Sequence, residues 1–332
     1  MELIKNLTEI YGPSGREEKV RMLIKEEIKK FSADIKVDAL GNLIVYIPTK
    51  NKKNAKRLMF CAHMDEIGLI VKHIDKMGFL RFAGVGGIFP ERILHHRVLF
   101  ENGIIGVIGA ETKPETPKPP TIDHYYIDIG VQNQKEAEKF VQIGDIASFY
   151  QNTEIIDNKV VAKALDDRIG CYCLIQSMKR IKKNKLELYF VFSTQEEVGL
   201  RGARTSAFGI NPDYAIAVDV TGTGDTPESP QMAVSIGKGV AIKVMDSAFI
   251  ANPFVKERLL MYARKLKIPH QLEILERGTT DAAVIQLTRT GVWSGVLSIP
   301  TRYIHSPNEV CDLKDVNATI ELIVACAEHG FE

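Results

Sequence analysis

The sequence predicts an α/β protein in which a small inserted β domain interrupts a sheet covered by helices. After about residue 160, apolar β-prone runs alternate with helical periodicity, which is typical of a mostly parallel sheet covered on both faces. Between residues 69 and 160, helical periodicity is absent and short β-rich runs alternate with turn signals. At 332 residues, the chain is long enough for one large or two medium domains. We therefore predict an α/β domain formed by residues 1–68 and 161–332, and an inserted β domain formed by residues 69–160.

The elements before the insertion follow from local patterns. Ser14 and Glu17 form a capping-box pattern, and apolar residues at helical spacing follow it as far as Phe31. The stretch "DALGNLIVYIP" predicts a short hairpin, and "RLMFCAHMDEIG" predicts a buried strand that ends near Ala62. Chemically active side chains would then follow this strand directly.

The remaining elements are predicted in the same way. Inside the insertion, "KPETPKPPT" is too rich in proline for a helix or a central strand, so we expect an exposed, semi-rigid loop. After the insertion, strands are predicted at "LELYFVF" and "YAIAVDV". Helices are predicted at about 168–181, at about 253–266 and after Leu313.

Composition excludes several classes of protein. The 43 basic and 42 acidic residues give a formal charge of +1, which provides no long-range field for nucleic acid or an anionic membrane. No run of about 18 apolar residues occurs, and the first residues lack a secretory signal, so we expect a cytoplasmic protein. Five cysteines without a CxxC motif argue against a disulfide framework or a structural zinc cluster.

Metal-ligand residue types gather where predicted strands end. In an open α/β sheet, ligands bind outside the carboxyl ends of the strands. Histidine nitrogen together with carboxylate oxygen suits zinc, cobalt or manganese, and two such ions about 3.5–4 Å apart form a hydrolytic clamp. The candidates at or near these positions are His63, Asp166, Asp167, Glu196, Glu197, Asp219 and His305.

Each candidate taken alone has an ordinary structural explanation. The pair at 166–167 could cap a helix, the pair at 196–197 could be solvated loop charges, and His63 could be a hydrogen-bonded core residue. Asp219 is harder to explain in this way, because burying a carboxylate without a partner is costly. The glycine-rich "GVGG" at 84–87 is read as a turn, since it lacks the frame of a phosphate-binding loop. Taken jointly, the candidates favour a metal site.

Seven motifs make the sequence resemble the M42 family of metallo-aminopeptidases, the tetrahedral (TET) and glutamyl aminopeptidase-like enzymes. They occur in the family's order from about Ile10 to beyond His305, which covers nearly the whole chain. The motifs are "IYGPSGRE", "AHMDEIGLIV", "KALDDRIGC", "STQEEVGLRGA", "AVDVTGTGDTPE", "GTTDA" and "IPTRYIHSPNEV".

The resemblance implies a fold, an activity and an assembly. The fold would be a mixed sheet of the zinc-peptidase type, covered by helices, with a PDZ-like insertion that serves dimerisation. Dimers of the family often assemble into tetrahedral dodecamers. The implied activity is removal of the N-terminal residue from short peptides by a metal-bound hydroxide, with two zinc or cobalt ions, or manganese, as cofactors.

The resemblance also implies a role for each candidate ligand. Asp166 would bridge two metal ions. His63 and Asp219 would complete the first ion, and Glu197 and His305 would complete the second.

Two further carboxylates receive implied roles outside the ligand set. Glu196 would act as the general base, and Asp65 would orient the imidazole of His63. Because adjacent side chains at a strand end point to opposite sides, Glu196 could face the reacting water while its neighbour holds a metal.

The segment "LERGTTDAA" departs from the glycine-rich run that the family usually has before Thr-Asp-Ala. This loop borders the substrate in relatives, so Arg277, Thr280 and Asp281 are candidate substrate-binding residues. An arginine there would favour acidic first residues. The alternative is that Arg277 pairs with Glu276 or Glu273, or lies in solvent.

Two other functions stay open at this stage. A deacylase or carboxypeptidase on the same scaffold would need a cation for the substrate carboxylate, which Arg277 or Arg302 could supply. A catalytically silent assembly or peptide-binding protein is the third hypothesis, although every residue expected for catalysis is present.

Overall fold

The computed structural model describes residues 1–31, 34–50, 55–111, 120–227, 229 and 231–331. The proline-rich loop predicted at 113–121 lies, up to residue 119, outside these ranges. Within the described ranges, no helix is both long and apolar enough to cross a membrane.

The helices and strands are numbered in chain order. The helices are α1 (Glu2–Glu9), α2 (Glu18–Ile28), α3 (Gln134–Ala137), α4 (Leu165–Arg180), α5 (Arg201–Ile210), α6 (Pro253–Leu266), α7 (Ala282–Ile285) and α8 (Leu313–His329). The strands are β1 (Asp34–Val37), β2 (Leu43–Ile47), β3 (Arg57–His63), β4 (Gly68–Ile74), β5 (Leu80–Val85), β6 (Arg97–Phe100), β7 (Ile105–Ala110), β8 (Tyr125–Asp128), β9 (Ile146–Phe149), β10 (Glu154–Ile156), β11 (Lys159–Ala162), β12 (Glu187–Ser193), β13 (Tyr214–Thr221), β14 (Val240–Met245), β15 (His270–Ile274), β16 (Trp293–Arg302) and β17 (Glu309–Asp312).

The large sheet is mixed rather than mostly parallel. Its strand order is β1-β2-β12-β3-β13-β16-β17-β11-β10, with β14 and β15 joined beside β16. The four central strands β12, β3, β13 and β16 are parallel, and β14 pairs with β15 in parallel. The other pairings are antiparallel. At the sheet edges, short turns join β1 to β2 and β10 to β11 as hairpins. The predicted mixed, helix-covered sheet is confirmed, but the expectation of a mostly parallel one is wrong.

Helices cover both faces of this sheet. Buried apolar residues of α1, α2, α4, α6 and α8 form one large cluster with the sheet. Residues of α5 and α7 form a second cluster against the opposite face. The site at the ends of the central strands therefore stands on a rigid, fully packed layer.

The inserted domain is a closed barrel of six antiparallel strands in the order β4-β5-β8-β7-β6-β9. It has an apolar core of its own. The last barrel strand ends at Phe149, whereas β11 pairs with β17 in the large sheet. The structure thus places β10 and β11 outside the barrel, although their sequences suggested that the insertion reaches residue 160.

The predicted capping box at the start of α2 is wrong. The helix begins at Glu18, and Glu17 at its N-cap makes no side-chain capping hydrogen bond. The Ser14 hydroxyl instead donates to the Asp65 carboxylate at 2.5 Å. The short helix α1, which precedes it, was not predicted.

Candidate metal centre

The candidate ligands come from neighbouring strand ends. His63 is the last residue of β3, and the parallel register places it beside Ser193 at the end of β12. Asp219 lies near the end of β13, while His305 follows β16. Because these strands are parallel, their carboxyl ends meet at one edge of the sheet. The structure thus brings together residues that are far apart in the sequence.

Asp166 lies between the two histidines. Its Oδ1 is 3.0 Å from Nε2 of His63, and its Oδ2 is 3.3 Å from Nε2 of His305. A further carboxylate accompanies each histidine: Oδ1 of Asp219 is 3.8 Å from His63, and Oε2 of Glu197 is 3.2 Å from His305. The five side chains therefore form two groups that share Asp166.

The electrostatics of the cluster show an excess of buried acid. Burial lowers the pKa of His305, but hydrogen bonds with Asp166 and Glu197 outweigh it and raise the pKa to about 11. Burial raises the pKa of Glu196 and of Asp219 well above the ordinary range. Desolvated carboxylates this close repel one another unless a cation neutralises them.

The donor set contains two overlapping groups of candidate metal ligands. Two groups of ligand atoms, His63 with Asp167 and Asp219, and His63 with Asp166 and Glu197, each lie within 4.8 Å of one another. Oε1 of Glu197 is buried and has no hydrogen-bond partner among the described residues. A buried carboxylate oxygen without a partner, beside imidazole nitrogens and further carboxylates, matches the ligand chemistry of zinc, cobalt or manganese.

Glu196 and Glu197 approach different histidines. Glu197 contacts His305, whereas Oε2 of Glu196 lies 3.9 Å from Nε2 of His63 and faces the cleft. No hydrogen bond to the Glu196 carboxylate occurs within the part of the chain that the structure describes. The Glu196 carboxylate thus lines the cleft without a hydrogen-bond partner among the described residues.

The carboxylate of Asp65 is occupied mainly by the turn after β12. It accepts the backbone N–H groups of Glu196 at 3.0 Å and Glu197 at 3.2 Å, in addition to the Ser14 hydroxyl. Nδ1 of His63 is 3.1 Å from the backbone carbonyl oxygen of Asp65 and 3.5 Å from its nearest carboxylate oxygen. Asp65 thus holds the imidazole through its carbonyl and the turn through its carboxylate.

Glu309, which sequence reasoning missed, and Asp167, which it named only as a candidate ligand, hold the backbone of other candidate ligands. Glu309 accepts the N–H groups of Asp166 at 3.0 Å and His305 at 2.9 Å, and burial raises its pKa to about 8. Asp167 accepts the N–H of His63 at 3.1 Å and that of Gly170 at 3.1 Å, so it also serves the start of α4. Glu309 lies in the motif "IPTRYIHSPNEV", and Asp167 is the second acid of the Asp-Asp pair.

The glycine turn at 84–87 borders the site. A methyl group on Gly87 would lie 2.6 Å from Nδ1 of His305. One on Gly86 would lie 3.1 Å from Oε2 of Glu197, and its φ of +81° favours glycine. The turn at the end of β5 thus packs the barrel directly against the second group of ligands.

A cleft of about 1880 Å³ opens over the cluster. Among the described residues that line it are Arg277 and Thr280, but not Asp281, which is buried and accepts hydrogen bonds from Ser193 at 2.6 Å and Cys61 at 3.3 Å. The substrate-side location predicted for Asp281 is therefore not found.

The arginines at the cleft differ in their pairing. Arg302 forms an ion pair with Asp225 at 2.9 Å. Burial alone would raise the pKa of Asp225, but the hydrogen bonds that its carboxylate accepts, first of all from Arg302, lower this pKa to about 2. Arg277 is exposed and makes no ion pair with any described residue, while Glu273 is buried with Lys243 at 2.9 Å. Arg277 is therefore available to a bound molecule, whereas Arg302 is occupied.

Comparison with known proteins agrees with the motifs. The model of the M42 glutamyl aminopeptidase family matches residues 41–322. The chain is 49% identical to a protein of Acetivibrio thermocellus over 97% of each chain, and 37% identical to the lysyl aminopeptidase of Pyrococcus furiosus over 98% of this chain and 96% of that protein.

Solved structures show the same fold. An aminopeptidase of the archaeon Desulfurococcus kamchatkensis superposes with a TM-score of 0.95 at 40% identity, covering 99% of this chain and 94% of that one. The TET1 peptidase of Pyrococcus horikoshii, described as assembling into a tetrahedron or a large octahedral shell, has a TM-score of 0.88 at 35% identity over 99% of each chain. The resemblance inferred from the motifs is confirmed.

Proposed function

Because this chain belongs to the M42 family of aminopeptidases, we propose that it removes the first residue of short peptides with the help of two divalent cations. The proposed ligands are His63, Asp166, Glu197, Asp219 and His305. The observation that carries this proposal is the position of Asp166, whose two carboxylate oxygens each contact a different histidine. Zinc and cobalt suit this mixture of nitrogen and oxygen donors, with manganese as a third candidate.

The cations, when bound, would polarise the scissile carbonyl and make water a stronger nucleophile. Asp166 would hold both ions at a fixed separation. His63 and Asp219 would complete one ligand set, while Glu197 and His305 would complete the other. A shared carboxylate makes the two sets depend on each other, so loss of Asp166 should affect both.

Glu196 is the proposed general base. Its carboxylate is free of hydrogen bonds from described residues and faces the cleft. It would accept a proton from the attacking water and deliver that proton to the amine that leaves. The neighbouring Glu197 is committed to His305, so the two adjacent acids would have separate tasks.

Arg277 is the residue proposed to determine which first residue of the peptide is preferred. Its exposed guanidinium lines the cleft without an ion-pair partner among the described residues, which favours an acidic side chain in the substrate. Thr280, on the same loop, also lines the cleft. The cleft would then bind a short peptide with its amino end toward the metal ligands.

The barrel is the proposed dimerisation domain. Its closed strand order and separate apolar core mark it as an independent unit. The tetrahedron or octahedral shell described for the Pyrococcus horikoshii relative supports an oligomeric assembly. For this chain, we expect dimers that assemble up to a dodecamer.

The test is Glu196→Gln, which keeps the shape of the side chain but cannot accept the proton. Turnover of a leucyl anilide should fall by at least about 10²-fold while two metal equivalents stay bound. Glu321→Gln, an exposed position on α8, is the matched control and should keep full activity. Full activity of Glu196→Gln would show that Glu196 is not the general base.

A panel of substrates separates the alternative functions. An aminopeptidase requires a free amino group, so N-acetylation of the peptide should abolish cleavage. Preferential cleavage of the acetylated peptides would instead favour a deacylase or carboxypeptidase.

A further inference from the structure

The turn after β12, residues 194–197, carries the proposed general base and is held by distant side chains. Each of its four consecutive backbone N–H groups donates to a side-chain oxygen, at 3.0 to 3.2 Å. The acceptors are Asn42, Glu17 and Asp65. The conformation of this turn therefore depends on three other parts of the chain.

The turn has little means of fixing these N–H groups by itself. Gln195 has a φ of 55°, in the left-handed region that residues with a side chain adopt infrequently. Its carbonyl and that of Thr194 accept N–H groups from the start of α5, at 3.1 and 3.0 Å. Backbone donors buried away from water require partners, so removal of one acceptor should loosen the turn.

The motif "GPSGRE" supplies part of this support. Oε1 of Glu17 accepts the N–H of Gln195 at 3.1 Å and that of Gly15 at 2.8 Å. Ser14 donates to the same carboxylate of Asp65 that accepts the N–H groups of Glu196 and its neighbour. Both residues are buried, with 4% of Glu17 and 5% of Ser14 exposed.

A role in the helix does not explain the carboxylate of Glu17. It stands at the N-cap of α2 but makes no capping hydrogen bond with its side chain. Burial raises its pKa, and the nearby charge of Asp65 raises it further. A second buried acid beside Asp65 is thus costly, and its contact outside the N-terminal segment is with the turn.

We propose that Glu17, assisted by Ser14, is a positioning residue that fixes the backbone at Gln195 and thereby sets where the carboxylate of Glu196 stands. The inference rests on the proposed role of Glu196 as general base. Glu17 itself touches neither the metal ligands nor the cleft among the contacts described, so it would act through the turn.

The experiment compares Glu17→Met, which removes the acceptor, with Glu17→Gln, which keeps an oxygen at the same place. Glu18→Met is the matched control, because Glu18 is exposed in the first turn of α2. For each metal-loaded variant, amide hydrogen exchange of peptides spanning residues 193–200 is measured together with kcat, KM and metal content.

We expect exchange in this turn to accelerate by at least about 10-fold in Glu17→Met, with kcat reduced by roughly 10- to 100-fold. KM and the two metal equivalents should be unchanged. Glu17→Gln should restore protection and most of kcat, and Glu18→Met should match the wild type. A purely structural loss would not separate kcat from KM or be rescued by glutamine.

Unchanged exchange in Glu17→Met, or no rescue by Glu17→Gln, would overturn the inference. If Glu17→Met fails to fold, Ser14→Ala removes only one hydroxyl and should show smaller changes of the same sign; no change there would also overturn it. A wild-type protein that cleaves no anilide would refute the proposed function and, with it, the catalytic part of this inference. The exchange measurement tests the support of the turn separately.

Discussion

Alanine at position 87 would show how closely the barrel sets the position of His305. The added methyl group would lie 2.6 Å from Nδ1 of the imidazole, whereas ordinary contacts of this kind begin at 3.4 Å. The ring or the turn must therefore move by about 0.8 Å, the difference between these distances. Metal–ligand distances tolerate changes of only about 0.2 Å. The φ of Gly87 is not in the left-handed region, so the effect of Gly87→Ala would be steric alone.

We expect Gly87→Ala to lose one of two metal equivalents on dialysis and to lower kcat about 10²-fold, since a misplacement of about 1 Å is enough for such a loss. Elemental analysis and anilide hydrolysis measure the two effects. The matched control is Gly209→Ala on α5, where a methyl group has open space and should stabilise the helix by about 0.5–1 kcal/mol. Two retained equivalents with full kcat would show that the turn yields instead of His305, and would refute this reasoning.

Four further predictions follow from the site and the barrel. Asp166→Asn should lose both metal equivalents together, because a neutral amide cannot bridge two dications; two equivalents remaining after dialysis would exclude the bridge. Arg277→Ala should lower the ratio of kcat/KM for glutamyl over leucyl anilide by about 10-fold, and an unchanged ratio would move the specificity pocket to other loops. Replacing residues 69–149 by a Gly/Ser linker should leave a smaller particle in light scattering, and an unchanged mass would place the interface elsewhere. Chelation of the metal should lower the unfolding temperature. Adding zinc back at 100 times its Kd should restore the unfolding temperature and raise the free energy of unfolding by about 2.7 kcal/mol; an unfolding temperature independent of metal would contradict the charge argument for the site.

The sequence predicted the central sheet and α6 well, because their signals are local. Buried parallel strands appear as continuous apolar runs, which located β3, β12 and β13. The helix predicted at 253–266 has these bounds in the structure, with Asn252 accepting the first N–H groups and Pro253 at its first position. That the carboxyl ends of these strands lie side by side was predicted from the topology of a parallel sheet and not from any local pattern.

The capping box failed for the opposite reason. Ser14 and Glu17 have the spacing of a cap, but the hydroxyl bonds a carboxylate 51 residues away and the acid bonds a backbone N–H 178 residues away. Such partners leave no mark on the local pattern. Likewise, the sequence of β11 resembles those of the barrel strands, and only its pairing with β17 places it in the large sheet.

Contacts of this kind also explain why Glu309 escaped prediction. Glu309 holds the backbone of Asp166 across 143 residues and that of His305 four residues away. His305 itself has a φ of 60°, a conformation that nothing in "RYIHSPNEV" specifies. Residue types at strand ends indicated the candidate ligands, whereas the part of Glu309 in holding them could be found from the fold alone.

A second layer of carboxylates behind the ligands has a consequence for charge as well as for geometry. Asp167, Glu309 and Asp65 each accept backbone N–H groups of residues in the cluster, so they fix its shape. Burial raises the pKa of Glu309 to about 8, and the nearby charge of Asp166 adds to this rise. Dications would relieve that repulsion, and the same acids would therefore favour both the arrangement of the ligands and the binding of the ions. An isosteric amide at a supporting position would keep one acceptor but remove the charge, so the two contributions are separable in principle. The close packing of acids at this sheet edge therefore suits a site that binds cations.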